Sequence, residues 1–211
     1  MDDTLRYGRW IVIIALSIGY AGLAHYANVV PGNERLATIV AVTPILLACV
    51  LTAWKSKHRT AMLLTIVVAL GVLLILRHSV ELHSNWIFWI EHAGTLLIVC
   101  SLFARSLAPG REPLCTFIAR LIHGSLAPEI QRYTRQITLA WAIFAGLMSA
   151  TSTVLFFATP LATWSAFANF FTGPLIILMF VVEYGVRRVL FPDFQHVSIL
   201  VAVRAVRNIY G

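Results

Sequence analysis

The apolar positions of this chain run on rather than alternate. Six stretches, at about residues 10–30, 36–54, 61–76, 86–103, 136–159 and 165–186, are almost free of charge. Each approaches the roughly twenty residues a helix needs to cross a hydrocarbon core at about 1.5 Å per residue; the third is the shortest. In lipid every backbone N–H and C=O must be paired within its own segment, so runs of this kind are helices. The pattern predicts an all-α integral membrane protein, a single transmembrane domain over 1–211 built as a bundle of about six spans.

Two further segments show a one-sided pattern instead. Within 111–123, Leu114, Phe117, Ile118, Leu121 and Ile122 recur at i, i+3, i+4, i+7 and i+8, with Arg111 and Arg120 off that face. Gly124 and Pro128 follow as a stop and a start signal. In 195–209, Val197, Leu200, Val201 and Val203 precede Arg204 and Arg207. Both segments read as cytoplasmic helices lying in the membrane interface, with a plain juxtamembrane connector as the alternative.

Charge turns the pattern into a topology. Only 12% of the 211 residues are charged and 59% are hydrophobic, with a mean hydropathy of +0.83, against about 25% charged in soluble domains. The net charge of +7 therefore sits at the ends of apolar runs and does not indicate a nucleic-acid partner. With six spans, fourteen of the sixteen Lys and Arg residues fall on one side, in both termini and the second and fourth loops, and only Arg35 and Arg77 on the other. The positive-inside rule then places both termini in the cytoplasm. The first run has no small-residue cleavage pattern and reads as an uncleaved targeting helix.

Few residues offer chemistry. On the side opposite the basic loops, His25, His78, Glu81 and His83 lie near Glu91 and His92 of the fourth span. Glu91, His92 and Thr95 fall within an arc of about 100°, and a carboxylate at that depth is expected to face the bundle interior. Glu91 and His92 are the candidates for a catalytic acid–base pair, a proton relay or, with the outer histidines, a metal site, against the blander reading of loop residues at the headgroup level and a Glu91 neutralised by His92 or by another helix. In the sixth span Asn169, Thr172 and Gly173 share a face ahead of Pro174, which is expected to kink the helix. Glu91, His92, Thr95 and Asn169 are thus the expected polar interior. Rows of small residues (Ala142, Gly146, Ala150 and Ala145, Ser149, Thr153), and Gly19 with Gly22, suggest close helix packing. Glu183 is placed to pair with Arg187 at i,i+4. Trp10, Trp54, Trp86, Trp89 and Trp164 mark span ends as aromatic belts. Cys49, Cys100 and Cys115 lack metal or redox spacing and read as small apolar side chains. No metal and no cofactor is expected: nucleotide and hydrolase motifs are absent.

One stretch is more specific. Glu91-His92, Phe103-Ala104-Arg105-Ser106-Leu107, Pro109-Gly110-Arg111-Glu112-Pro113-Leu114, Pro128-Glu129 and Arg132-Tyr133-Thr134-Arg135 before Trp141, with Glu183-Tyr184 and Arg187-Arg188 further on, resemble a family of small bacterial inner-membrane proteins. These are encoded in gene clusters for aryl polyene and xanthomonadin-like pigments. The resemblance covers the second half of the chain; the first ninety residues match in hydropathy alone. It implies a bacterial inner-membrane location beside acyl-carrier-protein-dependent enzymes that build a lipid-attached polyene, and it assigns no catalytic residue. A ketosynthase label, given to some relatives, does not fit, because the chain lacks the Cys-His-His set on a soluble fold. Three readings follow. In an accessory protein, Arg105, Arg111, Arg120, Arg132 and Arg135 would hold membrane lipid and acidic acyl carrier protein or synthase enzymes at the inner leaflet. In a transporter or flippase component, Glu91, His92 and Asn169 would line the path. In a small intramembrane acyl-transfer enzyme, His92 would be the base, oriented by Glu91.

Overall fold

The computed structural model of the chain describes residues 2–56, 58–75 and 84–191. These residues are all-helical. The helices are α1 (Asp2–Val29), α2 (Glu34–Lys55), α3 (Arg59–Ile75), α4 (Ser84–Ser106), α5 (Leu114–His123), α6 (Pro128–Ala158) and α7 (Leu161–Leu190). Five segments among them, α2, α4, α6, α7 and Ile11–Val29 of α1, are long and apolar enough to cross a membrane, as in a multi-pass membrane protein. α3 lies where the third span is expected and is a helix of 17 residues. Arg77, His78, Glu81 and His83 and the predicted 195–209 helix lie outside the described residues.

The observed ends follow local chemistry. Gly32 closes the α1–α2 turn with φ of 86°, a conformation open to glycine because it has no Cβ. The predicted 111–123 helix begins later, at Leu114, because Pro113 is its N-cap and its carbonyl accepts the first helical bond, from Phe117 N–H. It ends as expected at Gly124, whose N–H donates to Arg120 O at a φ of 77°. Pro128 opens α6, where its missing N–H leaves no bond unmade. α7 contains a π-helical turn, Phe167–Phe171, just before Pro174. A proline inside a helix lacks the N–H for residue i−4 and crowds that carbonyl; a wider turn immediately upstream accommodates both effects.

The described residues belong to two compact units, Met1–Glu91 with Val154–Phe171 and His92–Thr153 with Thr172–Gly211. The core of the first is Ala24, Ala27, Ala37, Val40, Ala41, Phe88 and Trp164. Small side chains let α1 approach α2 and the start of α7 closely. Gly19 and Gly22, expected at such a contact, are exposed instead: among the described residues a Cβ at either would meet nothing within 4 Å. Trp164 is also displaced from its expected belt position, being 1% exposed in this core, whereas Trp54 is 71% exposed as a belt residue would be. Trp86 and Trp89 form an aromatic cluster with Phe156 and Phe157. Pro44 inside α2 cannot donate to Val40 O, and the Tyr20 hydroxyl of α1 donates to that carbonyl instead, at 3.1 Å.

The second unit is organised on one face of α6. Its buried positions include Thr134, Thr138, Ala142, Ala145, Ser149 and Ser152, spaced by three or four residues along one helical stripe. Of the small-residue rows expected on this helix, Ala142 and Gly146 belong to one, and a Cβ on Gly146 would stand 3.3 Å from Cys100 Sγ of α4; Ala150 is exposed. In the other row Ala145 and Ser149 are buried, and the stripe then continues to Ser152 rather than to Thr153.

Candidate functional site

Hydroxyls on the α6 stripe hold the second unit together. Thr134 and Thr116 of α5 share a hydrogen bond of 2.7 Å. The Cys115 N–H donates to Thr138 Oγ1 at 3.2 Å, and that hydroxyl donates onward to Thr134 O at 2.7 Å. Ser149 Oγ donates to Ala93 O of α4 at 2.9 Å. The last member, Ser152, has no exposed surface and is hydrogen-bonded to His92 Nδ1 at 2.8 Å, while His92 Nε2 is hydrogen-bonded to Thr172 Oγ1 at 2.9 Å. The imidazole of α4 thus bridges α6 and α7 with a hydroxyl on each ring nitrogen. The partners are 60 and 80 residues away in sequence; the signal that could have found them is the surplus of Ser and Thr along one face of an apolar helix.

The expected polar interior is met only in part. His92 is partly buried and hydrogen-bonded on both ring nitrogens. Thr95 is exposed and is not an interior residue. Relative to His92, buried Leu96 and Ala93 lie about 40° and 100° round one side of the helix, whereas Thr95 lies about 60° round the other. Glu91 belongs to the first unit, is partly buried, and accepts no hydrogen bond or ion pair among the described residues; the Tyr20 hydroxyl is within its electrostatic range. Neighbours at i,i+1 do not face each other on a helix, so Glu91 does not orient the His92 ring. Asn169 lies in the π turn, partly buried, and its amide donates to Ser165 O at 2.9 Å and to Ser165 Oγ at 3.2 Å.

Asn169 instead belongs to a second polar cluster, in the first unit. His25 Nδ1 is hydrogen-bonded to Ser165 Oγ at 3.0 Å, and the His25 ring lies edge-on to Phe170 at 5.1 Å. Ser165 has no exposed surface. Asn28, one turn along α1, is 7% exposed and donates to Ala24 O at 2.8 Å.

The basic residues of the second unit form a different kind of surface. Arg105, Arg111, Arg120, Arg132 and Arg135 are all exposed. The loop that carries Arg111 is held at both ends. Ser106 Oγ accepts from Leu114 N–H at 3.0 Å, and Arg135 donates to Leu107 O at 3.4 Å. Arg120 forms a two-pronged pair with Glu112, at 2.8 and 2.7 Å, which holds the Glu112 carboxyl below its ordinary range. Burial, with the Arg187 charge second, pushes His123 below the usual histidine value. Burial pushes the Cys115 thiol up, away from thiolate reactivity. The expected Glu183–Arg187 pair is present at 3.5 Å, and Glu183 lies beside the Tyr133 hydroxyl. Among the described residues no cluster of His, Cys, Asp or Glu could hold a metal ion.

Comparison with protein-family models, curated proteins and solved structures finds no match to this chain. The class defined by fold and site is an all-helical protein with five membrane-length apolar helices, a hydroxyl-stapled imidazole and an exposed arginine surface.

Proposed function

We propose that this chain is a multi-pass accessory protein of a bacterial inner membrane. Its termini and basic loop face the cytoplasm, and α3, about 25 Å long at 1.5 Å per residue, serves as the sixth span. In this reading the exposed arginines hold anionic lipid and acidic, acyl-carrier-dependent enzymes of an aryl-polyene-type pathway at the inner leaflet. The observation that carries it is the accessibility of Arg105, Arg111, Arg132 and Arg135 on a loop and helices fixed by the Ser106, Thr134 and Arg135 hydrogen bonds. Positive charge presented on a held surface favours encounter with acidic partners. Arg120, already paired with Glu112, contributes less than the other four. His92 fits a structural role better than that of a free base, since each ring nitrogen already meets a hydroxyl.

The transport reading draws on one observation, the partly buried Glu91 carboxylate that accepts no hydrogen bond among the described residues, and intramembrane carboxylates often mark pathways. Binding and product measurements separate the two. With the protein in zwitterionic nanodiscs, neutralising Arg105, Arg111, Arg132 and Arg135 to Gln is expected to weaken binding of an acidic acyl carrier protein by about tenfold or more at low salt. Glu91→Gln is expected to leave that binding and the cellular product level unchanged. If Glu91→Gln abolishes product export while the arginine variant is silent, the docking reading is wrong and the transport reading stands.

A further inference from the structure

The segment 105–135 carries five arginines and two glutamates. Arg105, Arg111, Arg132 and Arg135 are exposed. Arg120 is exposed too, but its guanidinium is occupied: Nε and Nη2 donate to the two oxygens of Glu112 at 2.8 and 2.7 Å. The pair forms across eight residues because helical side chains lean toward the helix N-terminus, and Glu112 stands just ahead of Pro113, the N-cap of α5. Two parallel N–H···O bonds are the way a guanidinium holds a carboxylate or a phosphate. Glu112 therefore fills, from within the chain, the position that an external oxyanion would take. The place of the pair along the spans decides which oxyanion reaches it. The first turn of α5 is bonded to Thr134 and Thr138 of α6, through Thr116 Oγ1 and the Cys115 N–H. Those two positions bracket the start of the apolar run of α6, at about residue 136. Arg105 lies in the last turn of α4, and Arg135 reaches Leu107 O just beyond it. The start of α5 and Glu112 are thus held where membrane-length helices meet the headgroup layer.

We propose, resting on the reading of the arginine surface as a docking face, that Arg120 is a latent site for the phosphate of an anionic phospholipid and that Glu112 masks it until such a phosphate displaces the carboxylate. The side chains of the pair are 51% and 34% exposed, so solvent screens it and a competitor meets little resistance. An anionic leaflet supplies that competitor at high local density. The Phe117 ring lies 5.7 Å from the Arg120 guanidinium and helps to hold it in place when the carboxylate leaves. Leu114, Phe117, Ile118, Leu121 and Ile122 are only half-buried, which suits a helix lying in the membrane interface beside its phosphates. Arg105, Arg111, Arg132 and Arg135 bind the first headgroups, and a denser anionic surface recruits Arg120.

Native mass spectrometry of the full-length protein in detergent tests the site, with phosphatidylglycerol as the probe and zwitterionic phosphatidylcholine as the reference. The wild-type chain is expected to prefer phosphatidylglycerol. Glu112→Gln is expected to raise affinity for it about threefold, the scale of one exposed ion pair, and to leave phosphatidylcholine binding unchanged. Arg120→Gln breaks the same pair without releasing a guanidinium, so it is expected to give no gain. In that background Glu112→Gln is expected to change affinity by less than about 1.5-fold. An equal gain with and without Arg120 is a charge effect alone, and a gain in Arg120→Gln by itself is a loosening of α5; either result overturns the masked site and leaves the docking face standing. Equal binding of the two lipids by the wild-type chain and by Glu112→Gln overturns the masked site together with the lipid part of the docking reading. Glycerol 3-phosphate, a headgroup phosphate without acyl chains, separates the sources: if it binds as tightly as phosphatidylglycerol, the ligand is a free phosphate ester and the lipid assignment is overturned.

Discussion

Among the described residues each unit has one histidine within a membrane-length apolar helix, and the two are held differently. His92 has a hydroxyl on both nitrogens, from helices reached 60 and 80 residues later, and lies at the end of a stripe whose other hydroxyls are also paired. His25 has one hydroxyl and one aromatic edge, in a unit whose core is largely alanine and which contains two buried polar atoms, Asn28 Oδ1 and Trp89 Nε1, without a partner among the described residues. The second unit uses directional bonds to define how its helices meet. The first uses small side chains that permit close approach, and its polar groups are incompletely matched. In lipid, packing of small residues and interhelical hydrogen bonds are the main sources of association, and here the two sources are largely separated by unit. A fully paired polar network rigidifies and specifies one arrangement of its helices.

The largest test of this contrast replaces the two histidines. His92→Leu removes two interhelical hydrogen bonds, those to Ser152 and Thr172. A cost of about 1–3 kcal/mol is expected, from roughly 0.6–1.7 per bond in membrane proteins. His25→Leu removes one such bond and should cost about 1 kcal/mol. Reversible unfolding in mixed micelles measures both. Equal costs would mean that the stapled and alanine-packed units differ in appearance only.

How much of this was readable in advance depends on the range of the interaction. Spans of α2, α4, α6 and α7 were legible because uninterrupted apolar length is a local property. The Glu183–Arg187 pair was legible because i,i+4 neighbours meet on any helix. The Gly124 stop and the Pro128 start were legible for the same local reason. The partners of His92 were not, because helical periodicity says which residues share a face and leaves open which face is buried. The same gap explains Thr95, Ala150, Gly19 and Gly22. Each sits on a well-defined helical face, and each of those faces is open. Trp164 was misassigned because a tryptophan near a span end suits both a membrane interface and a core, and only packing decides. The unmatched Asn28 and Trp89 atoms had no sequence signal, since pairing depends on residues distant in the chain.

A middle-sized effect is expected at another directional bond between helices of the first unit. Tyr20→Phe removes the donor that replaces the missing N–H of Pro44 at Val40 O. The unpaired carbonyl should cost about 1 kcal/mol. Pro44→Ala restores the helical donor, so the double variant should recover most of that loss, and the cycle should show coupling of about 0.5–1 kcal/mol. Independent, additive effects would show that Tyr20 does not compensate for the proline. In the second unit Gly146→Ala brings a Cβ to 3.3 Å from Cys100 Sγ. A sulfur at the end of a short side chain can move by a few tenths of an ångström, so the expected cost is under about 1 kcal/mol. Cys100→Ala in the same background should remove it.

The smallest effect separates the exposed arginines from the buried staples. Arg120 and Glu112 form the tightest ion pair of the second unit's described residues, at 2.7 Å, yet their side chains are 51% and 34% exposed. Solvent screening makes such a pair weak. Its sign with pH is still defined. The Glu112 carboxyl is held below its ordinary value of 4.5 by the hydrogen bond from Arg120. A group depressed in the folded state contributes stability above the unfolded value and loses it as pH falls through the folded value. The contribution should therefore be constant at neutral pH and fade below about 4.5. Amide exchange in Leu114–His123 reads it locally: protection should drop at acid pH in the wild-type chain and should be low and flat over that range in Glu112→Gln. Because salt screens an exposed pair strongly and a buried bond little, 1 M salt should mimic the acid effect in α5 while leaving exchange near His92 unchanged. If α5 keeps its protection under both treatments, the Thr116 and Thr138 hydroxyl bonds hold the basic surface without help from the ion pair.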